Sequence, residues 1–283
     1  MLGYITGVYD ILRKKDLERL DMAMQVSQEN GNDYFAIGVY DDELCEKLGL
    51  GEPLKKVEDR IKIIQYIYGV DFAFPISSIE EEEIKKSVKS ALEQYQKGIE
   101  TEKDNNNEKE FDIVYAPGTY DLFHAGHLEN LLEAANRGKK LIVGVKADEL
   151  VIKHKGKRPN LNAQERMEIL RHFKFVDDVY RYYTRDPHIA AKWIEKKYGK
   201  KIDAIFMGTD LEQDFNHIDD MKIIFTSRSP EMMKSRSTSA YQKKLRLHSF
   251  DSTKTYTRKK NHEMSDEVHN VDVRDEDDFE RSW

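Results

Sequence analysis

Along the chain, short apolar runs alternate with stretches in which apolar residues return every three or four positions. Tyr4–Val8, Tyr34–Val39 and Phe72–Ile76 read as strands. Leu17–Val26 and Val57–Tyr68 read as helices, with Leu17, Leu20 and Met24 on one side of the first and Ile61, Ile64 and Tyr68 on one side of the second. The plan returns after residue 111. Ile113–Ala116, Leu141–Val145, Val179–Tyr183, Ile202–Met207 and Met221–Phe225 read as strands, and Ala163–Phe173 and Ile189–Tyr198 as helices. Near-continuous apolar strands alternating with helices predict parallel sheets covered by helices, an α/β architecture.

The pattern also divides the chain. Ile79, Ile84, Val88, Ala91, Leu92 and Tyr95 recur at helical spacing, with Glu80–Glu83 at the start of the stretch and lysines later, as the helix dipole favours. From Asp104 to Glu110 there is no apolar residue, which reads as a linker. The expected organisation is a first domain over 1–78, an amphipathic helix and linker over 79–110, a second domain over 111–245, and a polar tail over 246–283. That tail is basic at Lys254–Lys260 and mostly acidic at Asp272–Glu280, so a disordered or loosely docked segment is expected.

The two domains align as an internal repeat. Gly7-Val8-Tyr9-Asp10-Ile11-Leu12 matches Gly118-Thr119-Tyr120-Asp121-Leu122-Phe123. Ile37-Gly38-Val39 with Asp42-Glu43-Leu44 matches Val143-Gly144-Val145 with Asp148-Glu149-Leu150. Pro53 and Arg60 match Pro159 and Arg166, and Val70-Asp71 matches Val176-Asp177. An ordered series at nearly constant offset favours duplication over convergence of ordinary βα units. The copies differ where chemistry is expected. Against His124-Ala125-Gly126-His127 the first copy has Arg13-Lys14-Lys15-Asp16; it contains no histidine and no counterpart of Ile202–Thr238.

That histidine stretch is the chemical centre of the sequence. Ile113–Ala116 is a buried strand, Pro117-Gly118 breaks it, and Leu128, Leu131 and Leu132 begin a helical face after His127. Two imidazoles three residues apart share a face beside a helix start, whose N–H groups and dipole favour an anion such as phosphate. The strand, Gly118-Thr119-Tyr120-Asp121 and the His-x-Gly-His helix start together resemble the signature of the cytidylyltransferase-like family of nucleotidyltransferases.

The resemblance implies two Rossmann-like parallel-sheet nucleotidyltransferase repeats, the first truncated and degenerate. It implies a catalytic His124 and His127 and a lysine from Lys153-His154-Lys155-Gly156-Lys157-Arg158-Pro159 on the phosphates, with Lys155 favoured and Lys153 and Lys157 behind it. Gln164-Glu165-Arg166-Met167 is similar to the family's Glu-Arg helix start, where the arginine reaches the site. Phe206-Met207-Gly208-Thr209-Asp210 is similar to a strand-end Gly-Asp-Asp, with Thr209 in place of the first aspartate. Arg228 and Ser237-Thr238-Ser239 resemble a segment whose arginine grips nucleotide phosphates and whose Ser-Thr pair opens a helix. The extra residues Pro230–Arg236 leave Arg236 as an alternative to Arg228. Gly118, Thr119, Tyr120, Lys153, Lys157, Arg166, Gly208, Asp210, Arg228, Ser237 and Thr238 are the implied nucleotide contacts, and Asp121 and Asp148 the implied acceptor contacts.

The implied reaction is transfer of CMP from CTP to a small phosphorylated alcohol of the glycerol 3-phosphate, ethanolamine phosphate or choline phosphate class, releasing pyrophosphate. Mg²⁺ on the triphosphate is expected from that chemistry, and no protein-only metal cage is visible. The rivals are an adenylyltransferase of the same superfamily acting on a sugar phosphate, and a non-catalytic nucleotide-binding regulator; the intact His124/His127 pair argues against the latter. Because single-domain members resemble homodimers, the two copies are expected to form an intramolecular pseudo-dimer, with a homodimer of the chain as a further expectation.

Composition adds limits. In 283 residues, 39% are hydrophobic and 35% charged, with a net charge of -7 that argues against nucleic acid as a general partner. The one cysteine, Cys45, excludes a disulfide framework within the chain and reads as a helix-face residue. No apolar run approaches the ~18 residues of a membrane span. Met1 leads directly into a strand with no leader, so a cytoplasmic protein is expected. His172, His188 and His217 belong to no motif and read as surface or core residues.

Overall fold

The computed structural model describes residues 1–102, 108–209, 222–226, 238–250 and 268–271. The chain divides into two compact units, one of Met1–Asp10, Lys15–Asn106 and His248–Trp283, the other of Ile11–Lys14 and Asn107–Leu247. In the first, β1 (Leu2–Gly7), α1 (Lys14–Glu29), β2 (Tyr34–Tyr40), α2 (Asp42–Lys47), α3 (Val57–Ile64), β3 (Phe72–Ile76) and α4 (Glu81–Glu102) follow in order. Strands β3, β2 and β1 pair in parallel. Helix α4, expected as an amphipathic helix, packs its apolar face on this sheet: Val88 and Leu92 are buried in one cluster with Leu2, Tyr4, Phe72, Phe74 and Ile76. Cys45 lies wholly buried on α2, and burial pushes its thiol up to about 11.

The second unit holds β4 (Phe111–Gly118), α5 (Ala125–Arg137), β5 (Gly138–Lys146), α6 (Asp148–Lys155), α7 (Ala163–Arg171), β6 (Asp178–Tyr182), α8 (Pro187–Tyr198), β7 (Ala204–Gly208), β8 (Lys222–Thr226) and α9 (Thr238–Phe250). Its five strands are all parallel, in the order β6-β5-β4-β7-β8. Alternate residues of β4 serve opposite faces. Ile113 and Tyr115 pack with Ala190, Ala191 and Ile194 of α8; Leu128, Leu131 and Ala134 of α5 are buried as well. Local signals set the helix ends. Asn162 and Glu165 form a reciprocal cap on α7, and Asp186 caps α8 with Pro187 in its first turn and left-handed Gly199 after its last. The order reverses direction between β4 and β7, and a crevice at the carboxyl ends of strands at such a point is where this kind of sheet binds ligands.

The final strand, β9 (His269–Val271), belongs to the first sheet. It pairs antiparallel with β1, placing Val271 opposite Leu2 and His269 opposite Tyr4, and the His269 and Tyr4 rings stack at 5.2 Å. So β1 has β9 on the side where β4, in the second sheet, has the parallel strand β7. The expected tail over 246–283 is thus part structure: α9 runs to Phe250, and 269–271 is a strand.

The loops at the carboxyl end of each sheet hang on one buried arginine. Arg166 has no exposure; its Nε donates to Leu161 O at 3.0 Å, Nη1 to Thr119 O, and Nη2 to Lys146 O at 2.9 Å and to Asp148 Oδ1. Arg60, equally buried, donates to Lys55 O, Val8 O, Tyr40 O and Asp42 Oδ1. A buried aspartate fixes the next loop. Asp121 accepts from the backbone N–H of Asn160 and Leu161 and from the Asn160 side chain, as Asp10 accepts from Leu54 and Lys55 N–H. Removing one partner of a buried ion pair leaves the other charge uncompensated, typically at ~3–5 kcal/mol. Arg166→Ala and Arg60→Ala are therefore each expected to lose about that much stability. Urea titration checks this, and a loss below ~1 kcal/mol would contradict the strut role.

Candidate active site

Strand β4 delivers the site through a turn that carries strain. Tyr120 and Leu122 both lie in the left-handed region, at φ 54° and 48°. For non-glycine residues that costs roughly 1–2 kcal/mol each. The distortion folds the Tyr120 ring back so that its hydroxyl donates to Ala116 O at 3.1 Å. A Cβ on residue 118 would lie 2.7 Å from that ring, which is why glycine stands at the end of β4.

His124 is the N-cap of α5, at φ −142° and ψ 170°, and the first helix bonds run from His127 and Leu128 N–H to its carbonyl. Its ring stacks on that of His127, with centroids 3.8 Å apart and planes 21° apart. Aromatic rings surround the pair: Tyr120 lies edge-on to His127 at 5.2 Å, Phe123 is 5.5 Å from His127, and Tyr241 of α9 is 5.8 Å from His124. Thr238, the first residue of α9, donates its hydroxyl to Asp121 O at 3.0 Å and stands 3.4 Å from His124 Nε2. With its one proton given to that carbonyl, Thr238 Oγ1 is left to accept from His124. Lys157 Nζ donates to Gln242 Oε1 of the same helix at 2.5 Å. Gly118, Thr119, His124, His127 and Thr238 thus lie at the carboxyl end of the sheet, beside the starts of α5 and α9, with Lys157 tied to α9 one turn further on. Gly208 ends β7 on the other side of β4.

Several expected contacts have other roles. Arg166 does not reach out to a phosphate; it is wholly buried and spends its donors on three carbonyls and Asp148. Asp121 is closed to an acceptor, while Asp148, with 30% of its side chain exposed, also serves the fold. Asp121 is 2% exposed and holds the 160–161 backbone, while Asp148 holds Arg166 and accepts from Ala163 N–H. Tyr120 is 3% exposed and acts on His127 through its ring rather than through a hydroxyl turned to a nucleotide. Lys153 and Lys155 are not in a loop but in the last turn of α6, exposed, with left-handed Gly156 after them. Asp210, Arg228 and Ser237, like Arg236, lie outside the described residues.

Other residues join the site unannounced by any motif. Asn130, one turn past His127, accepts from the buried Thr226 hydroxyl at 2.6 Å, tying α5 to the end of β8. Lys146 ends β5 opposite Tyr182, and the preceding residue, Val145, lies opposite Gly118. Burial first, then the charges of Lys155, Arg185 and Arg166, hold the Lys146 ammonium below its ordinary range. Lys146 ends β5, the strand paired with β4, as Tyr40 ends β2, the strand paired with β1. Among the described residues, no group of three or more His, Cys, Asp or Glu side chains is placed to hold a metal ion, and no helix is long and apolar enough to cross a membrane.

The sequence profile of cytidylyltransferase-like proteins matches residues 115–259, which include the whole of this arrangement. The chain belongs to the cytidylyltransferase-like family. It is 39% identical over 103 residues to the FAD synthase of Pyrococcus abyssi, covering 36% of this chain and 65% of that protein. It is 32% identical over 115 residues to a probable ethanolamine-phosphate cytidylyltransferase of Encephalitozoon cuniculi, covering 41% and 34%. With human choline-phosphate cytidylyltransferase A it shares 44% identity over 70 residues, 24% of this chain and 19% of that one. The chain thus spans between about a fifth and just under two thirds of the length of these relatives.

Gly118→Ala tests the strained turn. Its Cβ would drive the Tyr120 ring off the Ala116 carbonyl, at a cost of ~1–3 kcal/mol, and shift the ring that meets His127. The expected result is a lowered urea midpoint with altered His127 ring resonances by NMR; an unchanged midpoint and spectrum would refute the account.

Proposed function

We propose that the second unit transfers a nucleotidyl group, CMP from CTP, to the phosphate of a small phosphorylated alcohol, giving a CDP-alcohol and pyrophosphate. The observation that carries this is the stacked His124/His127 pair at the start of α5, with the start of α9 beside it. An acceptor phosphate oxygen forms a bond to the α-phosphorus as the bond to the pyrophosphate oxygen breaks. A phosphate monoester is already anionic at pH 7, so neither a general base nor a protein nucleophile is required. The protein's part is positioning and charge stabilisation. On this reading His124 and His127 would meet the α-phosphate, and Lys155, with Lys153 or Lys157, the departing pyrophosphate. Mg²⁺ would enter on the triphosphate, whose oxygens supply its ligands, since the nearby carboxylates of Asp121 and Asp148 already serve the fold. In a second reading, adenylyl transfer from ATP to a sugar phosphate, the likeness to an FAD synthase supports the nucleotide and not the acceptor.

Pyrophosphate release with CTP against ATP, across glycerol 3-phosphate, ethanolamine phosphate, choline phosphate and a sugar phosphate, tests both readings. His124→Ala and His127→Ala are each expected to lower turnover by ~10²–10³, as loss of one preorganised donor does, without loss of fold by circular dichroism. Near-normal turnover in either folded variant would remove that residue from the site.

The first unit we read as a copy that keeps the frame without the chemistry. Its support is the matching set of bonds made by Arg60 and Asp10, and the sequence Arg13-Lys14-Lys15-Asp16 where the alignment puts the imidazole stretch. Calorimetric titration with CTP is expected to give one nucleotide per chain, lost when His124, His127 and Lys155 are all changed to Ala. Two per chain, or one that survives those changes, would make the first unit a binding site.

A further inference from the structure

Helix α8 is amphipathic in two senses. Its inner side is buried through Pro187, His188, Ala190, Ala191 and Ile194, and the last three pack with Ile113 and Tyr115 of β4. The opposite stripe, at helical spacing, is Ile189, Trp193, Lys196, Lys197 and Lys200, all exposed, and Lys201 follows left-handed Gly199 on the same exposed end. Ile189 is 44% and Trp193 57% exposed. Two large apolar side chains one turn apart thus stand in water, and lysines continue their stripe.

The fold does not call for such a face. Helix α4, which follows β3 as α8 follows β6, interleaves glutamates with its lysines. On α8 the one acid is Glu195, whose Oε1 accepts from Ile202 N–H at 2.9 Å. The acids near the lysines past the helix are engaged as well. Asp203 accepts from Asp112 and Ile113 N–H, and Asp112 pairs with Lys139 at 2.7 Å. A chain of net charge -7 therefore presents one helix face that is apolar and positive. An exposed apolar patch with a charged rim marks an interaction surface.

We propose that this face of α8 docks on an anionic lipid bilayer, with the helix lying in the interface and not crossing it. Tryptophan beside lysine suits that boundary: the ring settles among head groups, while lysine stems cover apolar surface and keep their ammonium groups in water. The lysines complement acidic head groups. The other occupants fit less well. A second copy seated face to face by two-fold symmetry would set lysine against lysine. A nucleic acid backbone would meet the lysines and leave Ile189 without an apolar partner. The inference stands apart from the transferase reading, and its test uses no turnover.

The test mixes the full chain with vesicles of phosphatidylcholine alone and of phosphatidylcholine with phosphatidylserine. Sedimentation with the serine-containing vesicles only, weakened by added salt, is the expected result. Trp193→Ser, and separately Lys196→Gln with Lys200→Gln, are each expected to lower that binding about tenfold, with the fold kept by circular dichroism. The chain has two tryptophans, so in Trp283→Phe the emission reports Trp193 alone, and it is expected to shift to the blue on the vesicles. Absence of binding to the serine-containing vesicles would overturn the proposal, as would an unmoved Trp193 emission. Binding that neither variant reduces would also overturn it and give the contact to another basic stretch, such as Lys254–Lys260. A dimer in solution that Trp193→Ser dissociates, or duplex DNA binding that the lysine variant removes, in either case without vesicle binding, would assign the face to a second copy or to a nucleic acid instead.

Discussion

A guanidinium with no access to water constrains everything around it. It stays protonated at any pH a folded protein meets, and its donors must find acceptors in place or leave a buried charge uncompensated. Arg166 meets that demand with carbonyls from three separate segments, Thr119, Lys146 and Leu161, and the carboxylate of Asp148. The turn after β4, the end of β5 and the start of α7 therefore cannot shift independently. The first of those segments leads directly into the histidine pair. Asp121 adds a second tie, from the same turn to the 160–161 backbone, and its carbonyl takes the Thr238 hydroxyl.

The same constraint appears twice in the chain with different consequences. Arg60 and Asp10 hold the first unit's loops through the corresponding atoms, and Tyr9 is left-handed at φ 53° as Tyr120 is at 54°. What changes is the outer layer. Tyr40 stands in place of Lys146, a basic stretch in place of the imidazoles, and β9 in place of a parallel strand beside β1. A frame that is electrostatically complete in itself tolerates such exchange, because none of the altered groups is needed to satisfy the buried arginine.

This separation also explains what could be read in advance. The parallel strands were legible because a strand covered on both faces must be apolar along its length, and the helix over 81–102 because its apolar residues keep a helical period. The histidine pair was legible from its spacing and its place between strand and helix. The direction of Arg166 was not. A basic residue at a helix start has the same spacing whether it turns outward to a phosphate or inward to carbonyls, and only the path of the 146–166 segment decides. The inward setting of Asp121 was hidden for the same reason. Helices α2 and α6 are too short, at six and eight residues, to establish a period. Strand β9 is three residues long, His-Asn-Val, and is held by its pairing with β1 and the Tyr4 ring rather than by any pattern of its own.

The strained turn and the setting of the histidines belong to one argument. Left-handed backbone at Tyr120 and Leu122 is unfavourable, so it persists only because the surroundings overdetermine it. Here those surroundings are the Ala116 carbonyl under Tyr120, the Asp121 ties and the arginine strut. The strained path turns the Tyr120 and Phe123 rings onto His127, while Tyr241 flanks His124 from α9. Aromatic walls cover one side of the imidazoles and lower the local dielectric there, which under the proposed transfer would strengthen each interaction with developing phosphate charge. Because the rings are already stacked, the proposed reaction would need little reorganisation of the pair. The backbone strain is thus the counterpart of a preorganised pair, and it is sustained by a strut that touches neither histidine.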